Sequence, residues 1–482
     1  VKTVSSPVAR NPWFWLLLYL TLFALLPWQP EGPFDARDWS RIDGVSVTMP
    51  WWQFLVEPIT ALGHVITGAP DFRQAAASIA AWVMVVVGVW VYLRRADLSW
   101  WRRGVWAGLA ALFGVWLLPA YMLLFSHIHF PGWQLETDTK RWLVADLQSH
   151  TLGSHDALVR AEDSLQWHLN RGYNVVALTE HDDATGAFYG EKLSTETGGP
   201  LIIPGIEVAT EHNGFLLAVG LKGTQLPPPR ERGESGYSAR FIKAIKAQHQ
   251  GSAIIALAWR LEPEDVESLA RAGVDAFEVI NVGHPDIPDT VRETMLRLER
   301  EGRIRLVSST DWHGWSGSTR GWTLITPASD GASREQQVDH IMALLRGGQR
   351  DQIVPVVAGY QGEVPGWRLL LAPLVELARY GAELSPLRLL GWWLWAILLW
   401  LMLRRLRARG YEAGPLIWNG MLLLAGAVLL WQGIDIYRIR PEGDVVLSDV
   451  TEELGLMAMQ AAVPLLFVAL WWGRMSLRRH DG

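Results

Sequence analysis

The chain has 482 residues, a formal net charge of −6, no cysteine, 28 tryptophans and a hydrophobic share of 50%. The absence of cysteine excludes disulfides, thiolate metal sites and a cysteine nucleophile. No basic block stands outside the flanks of apolar runs, which argues against nucleic-acid binding. This composition is too apolar for one soluble globule and too charged for a bundle buried wholly in lipid.

A bilayer span takes about 20 apolar residues. Six runs reach that length, near 13–29, 75–94, 104–126, 387–404, 415–434 and 454–473. The first, "WFWLLLYLTLFALLPW", has a signal-peptide-like core without a small-x-small cleavage site after it, so an uncleaved anchor is expected. Segments 51–69 and 366–381 are apolar but carry Glu57, Pro58 and His64, and Arg368, Glu376 and Arg379. Both are expected to be interfacial or re-entrant helices. The predicted division is a membrane region over 1–129, a soluble domain over 130–362 and a second membrane region over 363–482.

Basic residues set the expected orientation. Lys2 and Arg10 precede the first run; Arg94, Arg95, Arg102 and Arg103 separate the second from the third. Arg404, Arg405, Arg407 and Arg409 separate the fourth from the fifth, and Arg474, Arg478 and Arg479 follow the sixth. If the runs alternate, all four groups fall on one side, the cytoplasm. The expectation is a multi-pass inner-membrane protein with its soluble domain on the periplasmic or extracellular side.

Within 130–362, β-rich runs alternate with amphipathic helical patterns. Strands are predicted at 142–147, 174–179, 201–203, 215–220, 253–257, 276–281 and 304–309. Helices are predicted at 157–171, 238–249, 263–272, 288–302 and 334–346. Such alternation implies a mostly parallel sheet or barrel with its chemistry at the C-terminal strand ends. Those ends carry Gln148, His150, His155 and Asp156, then Glu180, His181, Asp182 and Asp183, then Glu207, and finally Asp311 and His313. Imidazole and carboxylate together suit Zn²⁺, Mn²⁺ or Fe²⁺. In Gln148-x-His150 and Asp311-x-His313 both side chains of an extended segment point one way.

The ordered segments "DLQSHT", "ALTEHDD", "IIPGIEV" and "VSSTDWHG" resemble the successive motifs of the PHP (polymerase and histidinol phosphatase) family, usually D-L-H-x-H-T, T-D-H, P-G-x-E and S-D-x-H. The resemblance covers about 145–325. It implies a distorted seven-stranded β/α barrel, here flanked by two transmembrane helical bundles, and metal-dependent hydrolysis of phosphate esters. By this resemblance His150, Glu207 and Asp311 match the ligands of one metal. Asp156, or its neighbour His155, matches those of another together with His181 and His313.

Three positions depart from the pattern. Gln148 stands where the family usually has histidine, and Phe215 and Trp259 stand where it often has ligands, with His212 a substitute near Phe215. One or two divalent ions are therefore expected. Asp311 or His313 would hold or deprotonate water, and His181 would assist the leaving group. Arg260 and Arg320 are candidate phosphate clamps, and Gln148 is a candidate weak, neutral ligand through its amide oxygen, an orienting contact to a metal-bound water, or a contact to substrate. Glu278, Asn281 and His284 are further candidates near the site, whereas "SHIHF" (His127, His129) is expected to be interfacial, and His168 and His249 surface or core groups. The expected partners are membrane lipids and a phosphorylated envelope or lipid-linked substrate. The alternative is a decayed barrel serving as a metal- or ligand-binding sensor or scaffold.

Overall fold

The computed structural model describes residues 12–26, 32–127, 130–157, 159–211, 214–231, 234–284, 287–314, 320–359, 366–409, 413–438 and 449–478. Four helices come first: α1 (Pro12–Ala24), α2 (Gln53–Thr67), α3 (Phe72–Arg94) and α4 (Trp100–His127). Helices α5 (Ala161–Leu169), α6 (Thr185–Thr197), α7 (Tyr237–Gln248), α8 (Pro263–Ala272), α9 (Asp289–Arg300) and α10 (Arg334–Gly347) belong to the α/β region. The chain closes with α11 (Gly366–Leu370), α12 (Ala372–Ala382), α13 (Pro386–Ala408), α14 (Ala413–Arg438) and α15 (Asp449–Arg478).

Where the sequence predicts six spans, three stretches among the described residues are long and apolar enough to cross a membrane. They are Arg73–Arg94, Pro386–Ala408 and Asn419–Tyr437. The apolar parts of α1 and α15, Phe14–Ala24 and Gly455–Trp471, are shorter. Helix α3 starts against the α/β region, where Arg73 meets His284. Its last residue, Arg94, comes 21 residues later, about 32 Å away at helical rise. Arg388, at the start of α13, lies over the Trp133 ring at 5.4 Å, so Arg404–Arg409 fall at the distal end as well.

The two segments expected at an interface carry their polar groups inward. Helix α2 buries Gln53, Glu57, Thr60 and His64 and exposes Leu55 and Ile59. Arg388 grips the Glu57 carboxylate at 2.7 and 2.8 Å, and Tyr380 donates to it at 2.6 Å. Glu376 and Arg379 of α12 are buried likewise and pair at 2.8 Å. Polar residues turned inward and leucines turned outward leave each helix an apolar outer face.

Ten strands form one mixed sheet. They are β1 (Phe34–Asp35), β4 (Leu143–Ser149), β5 (Val175–His181), β6 (Leu201–Ala209), β7 (Phe215–Val219), β8 (Ala253–Leu257), β9 (Ala276–Asn281), β10 (Arg305–Ser309), β11 (Gly321–Ile325) and β12 (Ile353–Val357). Between them in sequence, β2 (Val45–Thr48) and β3 (Gln134–Thr137) form a separate antiparallel pair. The order across the sheet is β1-β12-β11-β4-β5-β6-β7-β8-β9-β10. The seven strands read from the sequence are the run β4 to β10. Strands β11, β12 and β1 extend the sheet antiparallel beyond β4. Strand β1 precedes residue 130, so the sheet draws on both sides of that point.

The sheet is mixed rather than mostly parallel because β6, β7 and β8 run alternately. It curls into a half-barrel whose lips are drawn together past the strand ends. Ser149 and Trp312 form a parallel bridge, His150 N–H donates to Trp312 O at 3.0 Å, and Asp311 N–H donates to Gln148 O at 3.1 Å. Alternation along β4 sends Ala145 and Leu147 into an apolar cluster with Ile203, Ile255 and Val307. The register shifts between Asp146 and Ser149, which breaks that alternation: Asp146 faces His168 of α5, whereas Gln148 and His150 meet Glu207 of β6.

Candidate metal centre

The lip where β4 meets the 310–313 segment gathers the chemistry. His150 Nε2 lies 3.2 Å from Glu207 Oε2 and 3.3 Å from Asp311 Oδ1. Asp156 Oδ2 lies 3.4 Å from His181 Nε2 and 3.4 Å from His313 Nε2. The two groups are contiguous, because the His150 ring stacks on those of His181 (4.7 Å) and His313 (4.2 Å). Donor atoms of His150, Glu207 and Asp311 fall within 4.8 Å of one another, as do those of His150, His181 and His313. His155 is exposed, its ring 5.0 Å from His181.

These separations fit a cation. Donors about 2.0–2.1 Å from a tetrahedral ion lie about 3.3–3.4 Å apart. His150 Nε2 is fully buried and has no hydrogen-bond partner, although two carboxylates face it. A buried nitrogen in that position is either protonated or a ligand. Burial opposes a charge on His150, but Asp311 and Glu207 outweigh it and raise its pKa well above the usual value. His181 is raised against burial by Asp156 and Glu207. Burial would raise Asp156 and Asp311, but the facing histidines hold both low. The cluster therefore demands positive charge, which a divalent ion provides while displacing the imidazole protons.

A second layer fixes the ring orientations. Ser154 Oγ donates to Glu180 Oε2 at 2.7 Å, so it accepts from His150 Nδ1 at 3.0 Å. That leaves the Nε2 lone pair directed at Glu207 and Asp311, as a ligand requires. His313 Nδ1 lies 2.8 Å from its own segment's carbonyl, Asp311 O, leaving Nε2 toward Asp156. Glu180 also accepts from Thr151 N–H at 3.0 Å, tying the 150–156 loop to β5. Asp146 accepts from Thr310 N–H at 3.0 Å and faces His168 Nε2 at 3.2 Å, so it anchors the segment that carries Asp311. Asp146, Ser154 and Gly283 are absent from the site candidates that the sequence offers. A Cβ at Gly283 would lie 2.5 Å from Asp311 Oδ2, so only glycine leaves room for that carboxylate.

Gln148 is fully buried, with both ends of its amide engaged. His284 N–H donates to Asn281 Oδ1 at 2.8 Å, which fixes the Asn281 amide with Nδ2 toward Gln148 Oε1 at 2.9 Å. Gln148 Nε2 then donates to Glu207 Oε2 at 2.6 Å. It supports a ligand from below, a position that does not suit the substrate contact expected of it. Asn281 also donates to Glu278, whose pKa burial raises well above the carboxylate range, with Asp311 and Glu207 adding to the rise.

Arg320 is also placed differently from its expected role as a clamp. It is buried and pairs with Glu383 at 3.0 Å, bracing the turn between α12 and α13. Arg260 is exposed at the rim, its guanidinium 3.9 Å over the Trp259 ring. Phe215 and Trp259 stack on each other at 6.2 Å, and Trp259 stacks on His284 at 3.8 Å. Where the resemblance leads one to expect further ligands, this chain has an aromatic wall ending in His284, which lies 3.5 Å from Asp311 Oδ2. Asp182, Arg260 and Asp311 adopt left-handed φ of 58°, 61° and 53°. Each such residue costs roughly 1–3 kcal/mol, and such strain collects at functional sites. His129 and His212 lie outside the described residues, as does the side chain of His127.

No protein-family model matches the sequence, and no curated protein does. Several solved structures resemble part of the fold, two of which illustrate the likeness. One is a "putative metal-dependent phosphoesterase" from Bifidobacterium adolescentis, 18% identical, covering 42% of this chain and 96% of its own, with a TM-score of 0.30. The other is an amidohydrolase from Chromobacterium violaceum, 15% identical, covering 36% of this chain and 89% of its own, with a TM-score of 0.26. Neither likeness assigns a family or a substrate to this chain.

Proposed function

We propose that this chain is a membrane-anchored, metal-dependent hydrolase of phosphate esters whose centre faces away from the cytoplasm. One observation carries the chemistry: two sets of donors, His150/Glu207/Asp311 and Asp156/His181/His313, at the spacing of ligands around an ion. A divalent ion held there supplies Lewis acidity toward a phosphoryl oxygen and lowers the pKa of a water. Asp311 directs Oδ1 at His150 and Oδ2 at His284, so its second oxygen would hold a water by accepting a hydrogen bond. His313 is held in one tautomer beside it. His181 would assist the departing oxygen.

The outward orientation is supported by the basic ends of α3 and α13, which lie distal to the α/β region. The inward-turned polar groups of α2 and α12 support apolar surroundings. Since the chain lacks cysteine, single reporters test the orientation: Ser329→Cys should react with an impermeant maleimide in intact cells and Ala408→Cys should not. The reverse pattern overturns it.

The chemistry is tested on full-length protein in detergent. Bound metal is measured, and chromogenic phosphomonoesters and diesters are assayed with Mn²⁺ and Zn²⁺, alongside Asp311→Ala and His150→Ala. Hydrolysis that both substitutions abolish is expected. Absence of bound metal, or activity indifferent to both, sinks the reading. The Phe215–Trp259 wall favours a second reading, a metal-binding barrel without turnover; metal bound at the cluster with no hydrolysis of any ester would select it.

A further inference from the structure

Arg73, near the start of the apolar helix α3, reaches the rim of the centre. Two of its guanidinium nitrogens lie 3.2 and 3.4 Å from the two ring nitrogens of His284. His284 in turn faces Asp311 Oδ2 at 3.5 Å. One residue beyond Arg73 a groove of about 610 Å³ begins, lined by the α3 stripe Gln74–Val85 and by Leu369 and Leu370 of α11. Its small residues, Ala77, Ser78 and Ala81, recur at helical spacing and leave space between the two helices. Beyond Gln74 the polar side chains of its wall are engaged: Ser78 Oγ donates to Leu369 O at 2.5 Å and Trp82 Nε1 to Leu370 O at 2.7 Å. The lining is therefore apolar from Ala77 to Val85, about 12 Å of helix.

The groove belongs to a helix long and apolar enough to cross a membrane, and Val85, Val86 and Val89 beside it are exposed. A cation at the rim of a candidate metal centre, and an apolar groove that begins at the next residue, match the two halves of an anionic amphiphile. We infer that the ligand is a lipid phosphate ester: its hydrocarbon chain lies along Gln74–Val85 and its phosphate reaches the centre past Arg73 and His284. As a statement about substrate, this rests on the hydrolase reading above. In hydrolysis the P–O bond to one ester oxygen breaks, a P–O bond to the oxygen of water forms, and a proton from that water ends on the leaving oxygen.

The test compares two diesters with the same leaving group in the same micelles, p-nitrophenyl hexadecyl phosphate and p-nitrophenyl methyl phosphate. A diazirine-bearing hexadecyl phosphate serves as a photolabel. The wild type should favour the hexadecyl ester at least ten-fold in kcat/KM. Ala81→Trp, or Ala77→Leu if the first does not fold, should cut that ratio at least five-fold. Label should fall on 74–85 and 369–370 and be displaced by dodecyl phosphate but not by dodecanol. Equal hydrolysis of both esters with an unmoved ratio overturns this inference and leaves the hydrolase reading standing. No hydrolysis of either ester, with label in the groove displaced by dodecyl phosphate, upholds the ligand class and sinks the hydrolase reading. Label spread over all apolar helices and indifferent to dodecyl phosphate overturns the ligand class.

Discussion

Gln148 donates its amide N–H to Oε2 of Glu207 at 2.6 Å, the same oxygen that His150 Nε2 faces at 3.2 Å. The residue that looks like a lost ligand in the sequence is a strut for a retained one. Gln148→Ala should leave the sheet intact and weaken metal binding by about 10–100-fold, the usual effect of removing a partner behind a ligand. Metal titration by calorimetry measures this. Unchanged affinity would mean that Glu207 needs no support from Gln148.

Ser154 sets the His150 tautomer by donating to Glu180 and accepting from Nδ1. Ser154→Ala removes that acceptor, which also receives His181 N–H at 3.0 Å, and leaves every candidate ligand side chain in place. Affinity should fall by about 10–100-fold, and the His150 ring nitrogen shifts in NMR should report a mixed tautomer. A single, unaltered tautomer in the variant would refute the role given to Ser154.

Glu57 and Arg388 form a buried bidentate pair that joins α2 to α13. Removing one partner strands the other charge, at a cost of about 3–5 kcal/mol, whereas replacing both with apolar groups is far less harmful. Arg388→Met should lower the melting temperature in detergent sharply, and Glu57→Leu with Arg388→Met should recover much of the loss. A double variant as unstable as the single one would contradict this account.

Glu383 is braced by Arg320 and Arg379. Burial alone would raise its pKa, but the two arginines prevail and lower it to about 2. The folded value lies below the unfolded one. Its contribution, on the order of 3 kcal/mol by linkage, is therefore present above about pH 4.5 and lost as pH falls toward about 2. The difference in melting temperature between wild type and Glu383→Gln should be constant at neutral pH and shrink across that acid window. A difference that stays constant down to pH 2 would exclude the pair as a source of stability.

Much of the centre can be read from the chain because its ligands sit at strand ends, where local spacing and backbone direction are coupled. His150, Glu207, Asp311 and His313 are visible there as residue types in order. Their supports are not. Asp146, Ser154 and Gly283 are ordinary polar and small residues whose importance comes from a neighbour distant in sequence, as with Gly283 and Asp311. Arg320 has the chemistry of a phosphate clamp, and only the packing of α12 gives it Glu383 instead.

The sequence by itself determined the apolar runs, the β-α alternation and the identity of the candidate ligands, since each depends on periodicity or composition within a short window. Tertiary structure alone decided the rest: that β1, β11 and β12 extend the sheet past β4, that Gln148 braces Glu207, and that α2 turns Glu57 inward to Arg388. It also brought Arg73 of an apolar helix against His284. Each is a pairing between segments far apart in the chain, and long-range register is set by the packing of whole elements, not by any local pattern.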